Sequence, residues 1–480
     1  MSKKTFFIST SIPYVNAKPH IGHALEFVQA DILARYRRLM GEEVYFLSGT
    51  DDNALKNVQA AEAAGAEVGE YVTENAKHFE NLLKNLNISN DDFIKTASDS
   101  RHKVGAQKLW SSCRSEDIYK KKYKGLYCLG CEEFKTEKDL INGECPEHPG
   151  KKLEEVEEEN YFFKLSNYQT QLLELIESNT LKIIPETRRN EALSFIKGGL
   201  EDFSISRSVA RARSWGVPVP GDDSQIMYVW FDALSNYINA LGYGTNGKNF
   251  EKFWTEGNER LHVIGKGINR FHTIYWPAML LSAGEALPTT VFIHGYINSG
   301  GQKMSKSVGN TIDPEEVIRE FGGEATRYFL ARRLSTFEDS DFTMEKAKEW
   351  YNADLANGIG NLVSRIMKLA STHLEKSPEI PEGTIPEDFK EALNSYEIQK
   401  AADIVWKWIG ELDLFIQENK PFEVVKVDKQ KGKALIEEAV IKLYTIGRML
   451  YPFLPELNVV IKDLVKYNKM PEKPLFLRKE

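Results

Sequence analysis

One pattern, a β-strand followed by a loop and a helix, occurs near the amino end of this chain and again far downstream, and it restricts the available folds more than any other feature. Thr5 to Thr10 is β-branched and aromatic, a proline-containing loop follows, and from Gly22 the apolar residues Leu25, Val28, Ile32, Leu33 and Tyr36 recur at helical spacing. A second strand, Glu43 to Leu47, runs into the polar turn Gly49-Thr50-Asp51-Asp52, a ligand-type loop at a strand's carboxyl end. Leu261 to Ile264 and Thr290 to Ile293 repeat the strand pattern around a helix at Phe271 to Ser282. From about Glu345 onward, long amphipathic patterns replace strand and glycine signals, as in a helix bundle. The expected architecture is α/β, with a Rossmann-type parallel sheet split over 1–115 and 226–320 by an insertion at 116–225. A linker over 321–350 and a helical domain over 351–480 complete it.

The chain has 480 residues, enough for two or three domains, and 42% hydrophobic residues, ordinary for a folded protein. A formal charge of -8 argues against a nonspecific nucleic-acid binder, so any RNA contact must rest on a local patch such as Lys426, Lys429, Lys431 and Lys433. The first ten residues lack the apolar stretch of a signal peptide or anchor, which points to a cytoplasmic protein with no membrane partner. Three of the four cysteines crowd between Cys128 and Cys145, against a spread disulfide framework. Cys128-x-x-Cys131 and Cys145-x-x-His148, with glycines at the turns, have the spacing of a structural Zn2+ knuckle at about 125–150. Three thiolates and an imidazole leave no open coordination position, so the metal would fold the insertion and catalyse nothing. Cys113 lies outside the pattern and reads as a buried or idle thiol.

Two further motifs carry chemistry. Pro19-His20-Ile21-Gly22-His23 sets two imidazoles three apart at the positive end of the first helix, where phosphate binds, and Gly22 leaves room for a nucleotide. Taken alone, His-x-x-His is more often a capping turn. Lys303-Met304-Ser305-Lys306-Ser307, between Gly300-Gly301 and Gly309, offers two ammonium groups that could follow a departing pyrophosphate. Taken alone, it is a solvated basic loop. Together, in this order and each at the end of a strand, they resemble the HIGH and KMSKS motifs of class I aminoacyl-tRNA synthetases.

Further blocks are similar to the methionine-specific family: Ser11-Ile12-Pro13-Tyr14, Asn160 to Ser166, Asp202 to Arg207, and Val229-Trp230-Phe231-Asp232-Ala233. That resemblance implies activation of L-methionine by ATP with Mg2+ and transfer to tRNA(Met). It makes His20, His23, Lys303 and Lys306 catalytic, and adds Gly22, Gly265, Lys266, Met304, Ser305 and Ser307 to the ATP site. It places the methionine amino group at Asp51 and its side chain among Ile12, Tyr14, Trp230, Ala233, Leu234, Tyr237, Ile268 and His272. Because one methylene is worth only about 1–3 kcal/mol in an apolar pocket, the family edits homocysteine within the synthetic site, here at Asp51, Arg207 and Trp276. Anticodon reading falls to Asn361 and Arg365, on a helix over about Leu355 to Ala370, with Phe422 where a stacking tryptophan is usual. The linker would contact the RNA stem, and a monomer is expected.

Two departures stand out. Asp51-Asp52-Asn53-Ala54 replaces the common Asp-Glu-His-Gly. Gly265-Lys266-Gly267 lacks the carboxylate of Gly-Lys-Asp, for which Asp52 or a water is the expected substitute. Rival readings are a cysteine-specific synthetase, which needs a cysteine soon after the first strand, a His-x-Gly-His nucleotidyltransferase without RNA, and a non-catalytic zinc-knuckle RNA-binding module.

Overall fold

The computed structural model describes residues 3–130, 133–135, 137–146, 150–304, 310–381 and 385–480. Its contacts divide the chain into two units, one of Met1–Pro19, Gly41–Asn81 and Asn90–His294, the other of His20–Met40, Leu82–Ser89 and Gly295–Glu480.

The first unit is built on a six-stranded sheet: β1 (Thr5–Thr10), β2 (Glu43–Thr50), β3 (Asp92–Lys95), β4 (Lys182–Ile184), β5 (Glu259–Gly265) and β6 (Thr290–His294). The spatial order is β3-β2-β1-β5-β6-β4 and every pairing is parallel. Two strands differ from the sequence reading. β2 continues through Gly49 and Thr50, which the sequence assigned to a turn, and β4 comes from inside the stretch assigned to the insertion. Parallel strands are covered on both faces and read as apolar runs, and β1 and β6 bury nearly every residue.

Other parts of the insertion form an antiparallel sheet of Glu133–Lys135, Ile118–Cys128, Glu154–Phe163 and Phe203–Ser204. Its register explains the acidic run Glu154 to Glu159. That run faces the lysine-rich strand, with Lys122 opposite Glu159 and Lys124 opposite Glu157, so opposite charges meet across the ladder.

The second unit is mostly helical. Asp313 caps Pro314–Phe321 by accepting the Glu315 N–H at 2.9 Å. Ile398–Asn419 buries Ala402, Val405, Trp406, Ile409, Leu412 and Ile416 along one stripe and stops at Lys420, whose φ of 41° precedes Pro421. The helix expected over 355–370 is broken at Gly358, where ψ is -109°, and continues as Asn361–His373. No helix among the described residues is long and apolar enough to cross a membrane.

Candidate active site

Strand order reverses where β1 lies beside β5, and in open parallel sheets ligands bind at the carboxyl ends of strands flanking such a point. Beyond β1 the chain stays tied to both neighbours. Ser11 donates its N–H to the Val263 carbonyl (3.1 Å), and Asp51 donates its own to Pro13 (2.9 Å). These bonds hold Ile12 and Tyr14 close to Asp51, and Tyr14 and Asp51 form a bridge.

The helix Val229–Leu234 and the turn Phe271–Tyr275 supply the walls. Trp230 lies flat on Phe271, with centroids 3.8 Å and planes 4° apart, and meets Tyr14 and His272 edge-on, each at 6.4 Å. Ala233, Leu234 and Tyr237 are buried behind it, and Ile12 and Ile268 pack on the same core. Polarizable faces of this kind suit a thioether.

Hydrogen bonds tie the wall together. His272 Nδ1 donates to the Ile268 carbonyl at 3.0 Å, and Nε2 lies 2.6 Å from the Tyr237 hydroxyl. His262 Nε2 accepts from Trp276 Nε1 at 3.2 Å, which leaves Nδ1 to donate to Ser9 Oγ at 2.7 Å. Burial, with His272 and Arg260 nearby, holds His262 well below the ordinary imidazole value. The His262 ring is therefore neutral. Phe271 and His262 are absent from the sequence reading. The first adjoins His272, which could have flagged it, while the second reads as an ordinary strand residue.

Asp51, 3% exposed, accepts the Asn53 N–H at 3.1 Å, and Asn57 donates to its carbonyl at 2.9 Å. Asn53 donates its amide to Asp232 at 2.8 Å, and His102 bonds the other Asp232 oxygen. The departure at Asn53 is thus absorbed inside the fold. Asp52, the expected substitute at Gly267, is held in the loop that follows β2. Its carboxylate accepts from Ala97, its carbonyl from Trp215, and burial pushes its carboxyl up to about 6. Gly265 ends β5, and Lys266–Ile268 forms one 3₁₀ turn.

In the second unit, His20 and His23 form a reciprocal cap. His20 Nδ1 accepts the Gly22 N–H, His23 Nδ1 accepts the His20 N–H, both at 3.1 Å, and the rings stack at 3.9 Å. Accepting at Nδ1 in this capping turn leaves each ring's Nε2 to carry a proton and point away from the cap. A Cβ at Gly22 would meet the His20 ring at 2.9 Å, so the cap itself requires glycine. Ile312, beyond the lysine segment, accepts the Ile21 N–H at 3.1 Å. Lys303 ends a hairpin turned at Gly300 and Gly301, and Met304 follows it. The Lys303 side chain and Ser305, Lys306 and Ser307 lie outside the described residues.

Arg207 is 7% exposed and lies over Tyr228, Phe134 and Tyr127, between 4.3 and 5.3 Å from each ring. It bonds Ser204 and the Ser206 carbonyl, and no carboxylate pairs with it among the described residues. Cys128 and Cys145 are buried, while Cys131 and His148 lie outside the described residues. Cys113 is buried and its thiol is pushed up to about 12. On the helix surface Asn361 is exposed, Arg365 pairs with Asp413 at 2.7 Å, and Phe422 is 39% exposed.

A family described as "tRNA synthetases class I (M)" matches residues 6–157 and 148–367. The methionine–tRNA ligase of Thermotoga maritima is 39% identical over 98% of this chain and 76% of its own length. That of Brucella suis is 38% identical over 97% and 92%. The Mycobacterium tuberculosis methionyl-tRNA synthetase solved in complex with methionyl-adenylate superposes with a TM-score of 0.89 at 33% identity, covering 99% of this chain and all of that one. Its apo form gives 0.84 at 30% identity, covering 100% and 99%.

Proposed function

From the premise that the chain belongs to the class I methionyl-tRNA synthetases, we propose how its residues carry out the reaction of that family. The chain is an ATP-dependent ligase that activates methionine and esterifies it to tRNA. The observation that carries the substrate assignment is the aromatic slot of Trp230, Tyr237 and His272 close to the buried carboxylate of Asp51. Asp51 takes the ammonium group, and the ring faces with Ile12, Tyr14, Ala233, Leu234 and Ile268 take the thioether.

A methionine carboxylate oxygen attacks the α-phosphorus of ATP·Mg²⁺, the bond to the β-phosphate breaks, and pyrophosphate leaves with the electron pair. His20 and His23 donate from Nε2 to the α-phosphate oxygens as charge develops there, and Lys303 and Lys306 hold pyrophosphate. Positioning and charge stabilisation supply most of the acceleration. A hydroxyl of the terminal ribose of tRNA(Met) then attacks the methionyl carbonyl, and AMP departs. Arg207, Trp276 and Asp51 are the positions for rejection of homocysteine, and Asn361, Arg365 and Phe422 for the anticodon.

Two buried thiols in a loop-rich excursion fit a thiolate metal site, and Cys128, Cys131, Cys145 and His148 would hold zinc. Zinc there would supply folding energy to the insertion. We also propose a cytoplasmic monomer, in the compartment where tRNA is charged.

Exchange of labelled pyrophosphate into ATP, run with each amino acid in turn, tests the function. Methionine should stimulate it. Stimulation by another amino acid and none by methionine would end the reading.

A further inference from the structure

A buried junction outside the slot lining joins three segments of the first unit. His102, in the first turn of the helix Ser100–Ser112, bonds one oxygen of Asp232, and the Asn53 amide donates to the other at 2.8 Å. The His102 and Asp232 side chains are 0% and 1% exposed, so this is a carboxylate taken wholly out of water. The His102 carbonyl accepts from Asn239 at 3.2 Å, and Asn239 also donates to Ser235 Oγ at 2.7 Å. Gly105, one turn further along the helix, lets this contact close, since a Cβ there would run into the Asn239 side chain.

Each arm of the junction ends on a part of the slot. Asn53 donates its own N–H to Asp51 at 3.1 Å, so the residue that bonds Asp232 through its side chain steadies the Asp51 carboxylate through its backbone. Thr96 holds the same loop, its hydroxyl accepting the Asp52 N–H at 2.8 Å. Asp232 lies in the helix Val229–Leu234, two residues after Trp230 and one before Ala233, and Asn236–Asn239 follows with Tyr237. The junction therefore links the carboxylate that takes the ammonium group to the ring faces that take the thioether. A buried carboxylate is costly, and an apolar filling of similar volume would hold a core together as well or better. What the carboxylate adds is direction, because its two oxygens fix a donor on each side.

Resting on the ligase reading, we propose that Asp232, held by His102 and Asn53, is a positioning residue that sets the spacing between the ammonium-binding carboxylate and the thioether-binding rings, and with it the length of amino acid accepted. The test measures amino-acid-dependent pyrophosphate exchange by the full chain. Asn53→Ala, which leaves the His102–Asp232 pair in place, should raise the methionine KM roughly tenfold with kcat and the KM for ATP unchanged. Its preference for methionine over ethionine, one methylene longer, should narrow, since the spacing is no longer held. His102→Ala should act in the same direction. The double variant should be no worse than the poorer single one, because both changes work through one carboxylate. General loosening of the core would instead move both KM values together and leave the preference where it was. Should His102→Ala fail to fold, Asn53→Ala decides alone. With normal exchange by the unaltered protein, a methionine KM unchanged in Asn53→Ala, an equal rise in both KM values, an unaltered preference, or additive effects in a folded double variant would overturn the proposal. No methionine-dependent exchange by the unaltered protein would strike the ligase reading and this proposal with it.

Discussion

The two units bury polar groups in opposite ways. Around the methionine slot the buried rings are hydrogen-bonded in pairs: Tyr237 with His272, Trp276 to His262, His262 to Ser9. In the helical unit the buried centre is ionic. Asp31, fully buried, lies 2.7 Å from both Arg35 and Arg327, and its second oxygen accepts the Ser89 N–H at 2.7 Å. Arg327 adds bonds to the carbonyls of Leu86, Pro452 and Phe453, so one guanidinium joins segments far apart in the chain. A charge removed from water must meet its partners or pay a large penalty, which makes the ionic centre a device for fixing which segments meet. A slot that must accept a ligand's apolar chain gains by the reverse arrangement, with aromatic faces and paired dipoles in place of ion pairs.

The largest effect should come from breaking the ionic centre. Asp31→Asn leaves two buried guanidinium groups short of a charge partner and should cost about 3–5 kcal/mol in urea unfolding at pH 7. Burial by itself would raise the Asp31 carboxyl, but Arg327, Arg35 and Ser89 outweigh it and hold the group below its ordinary value. Its stabilisation is therefore present above the unfolded carboxyl value, about 3.9, and is lost as pH falls through the lower folded one. A cost below about 1 kcal/mol would show that the centre is not what ties the unit together.

Tyr237→Phe probes the neutral side. It leaves His272 Nε2 without its donor, a loss of about 1–3 kcal/mol that should appear mainly as a methionine KM raised roughly tenfold. A fall in stability with KM unchanged would mean that the pair serves the core and not the slot.

Each unit also buries a carboxyl at a loss. Burial pushes Asp52 up to about 6 and Glu324 up to about 7. A carboxyl raised on folding favours the protonated native state, so its contribution is full below the unfolded value and is lost as pH rises through the folded one. Asp52→Asn and Glu324→Gln should each gain about 1–2 kcal/mol at pH 8 and almost nothing at pH 4, measured by unfolding at both. Equal gains at the two pH values would assign the effect to packing.

What the sequence disclosed follows the range of the interaction concerned. β1, β5 and β6 were legible because long apolar runs bounded by glycine and proline are local signals. β3 and β4 were not, being four and three residues long with charged or polar ends that acquire strand character only from a neighbour. Asp51, Trp230 and His272 could be named from motif resemblance. The links Asn53–Asp232 and His102–Asp232 span 179 and 130 residues of sequence, and no spacing rule connects their members. The break at Gly358 was missed because the apolar spacing runs on through it.

The exposed face of the helix Asn361–His373 gives a third case, and the smallest expected change in stability. Arg365 and Asp413 are each more than a third exposed, and an ion pair open to water contributes about 0–1 kcal/mol. Arg365→Gln should therefore leave the unfolding midpoint and methionine-dependent exchange nearly unchanged. If this face reads unpaired bases, Asp413 holds the guanidinium in place until RNA arrives, and kcat/KM for tRNA should fall although neither substrate of the first step is affected. Asp413→Asn should then lower it less, because the guanidinium survives and loses only its support. Equal aminoacylation by Arg365→Gln and the unaltered protein would make the pair an ordinary surface contact and move anticodon reading elsewhere on the helical unit.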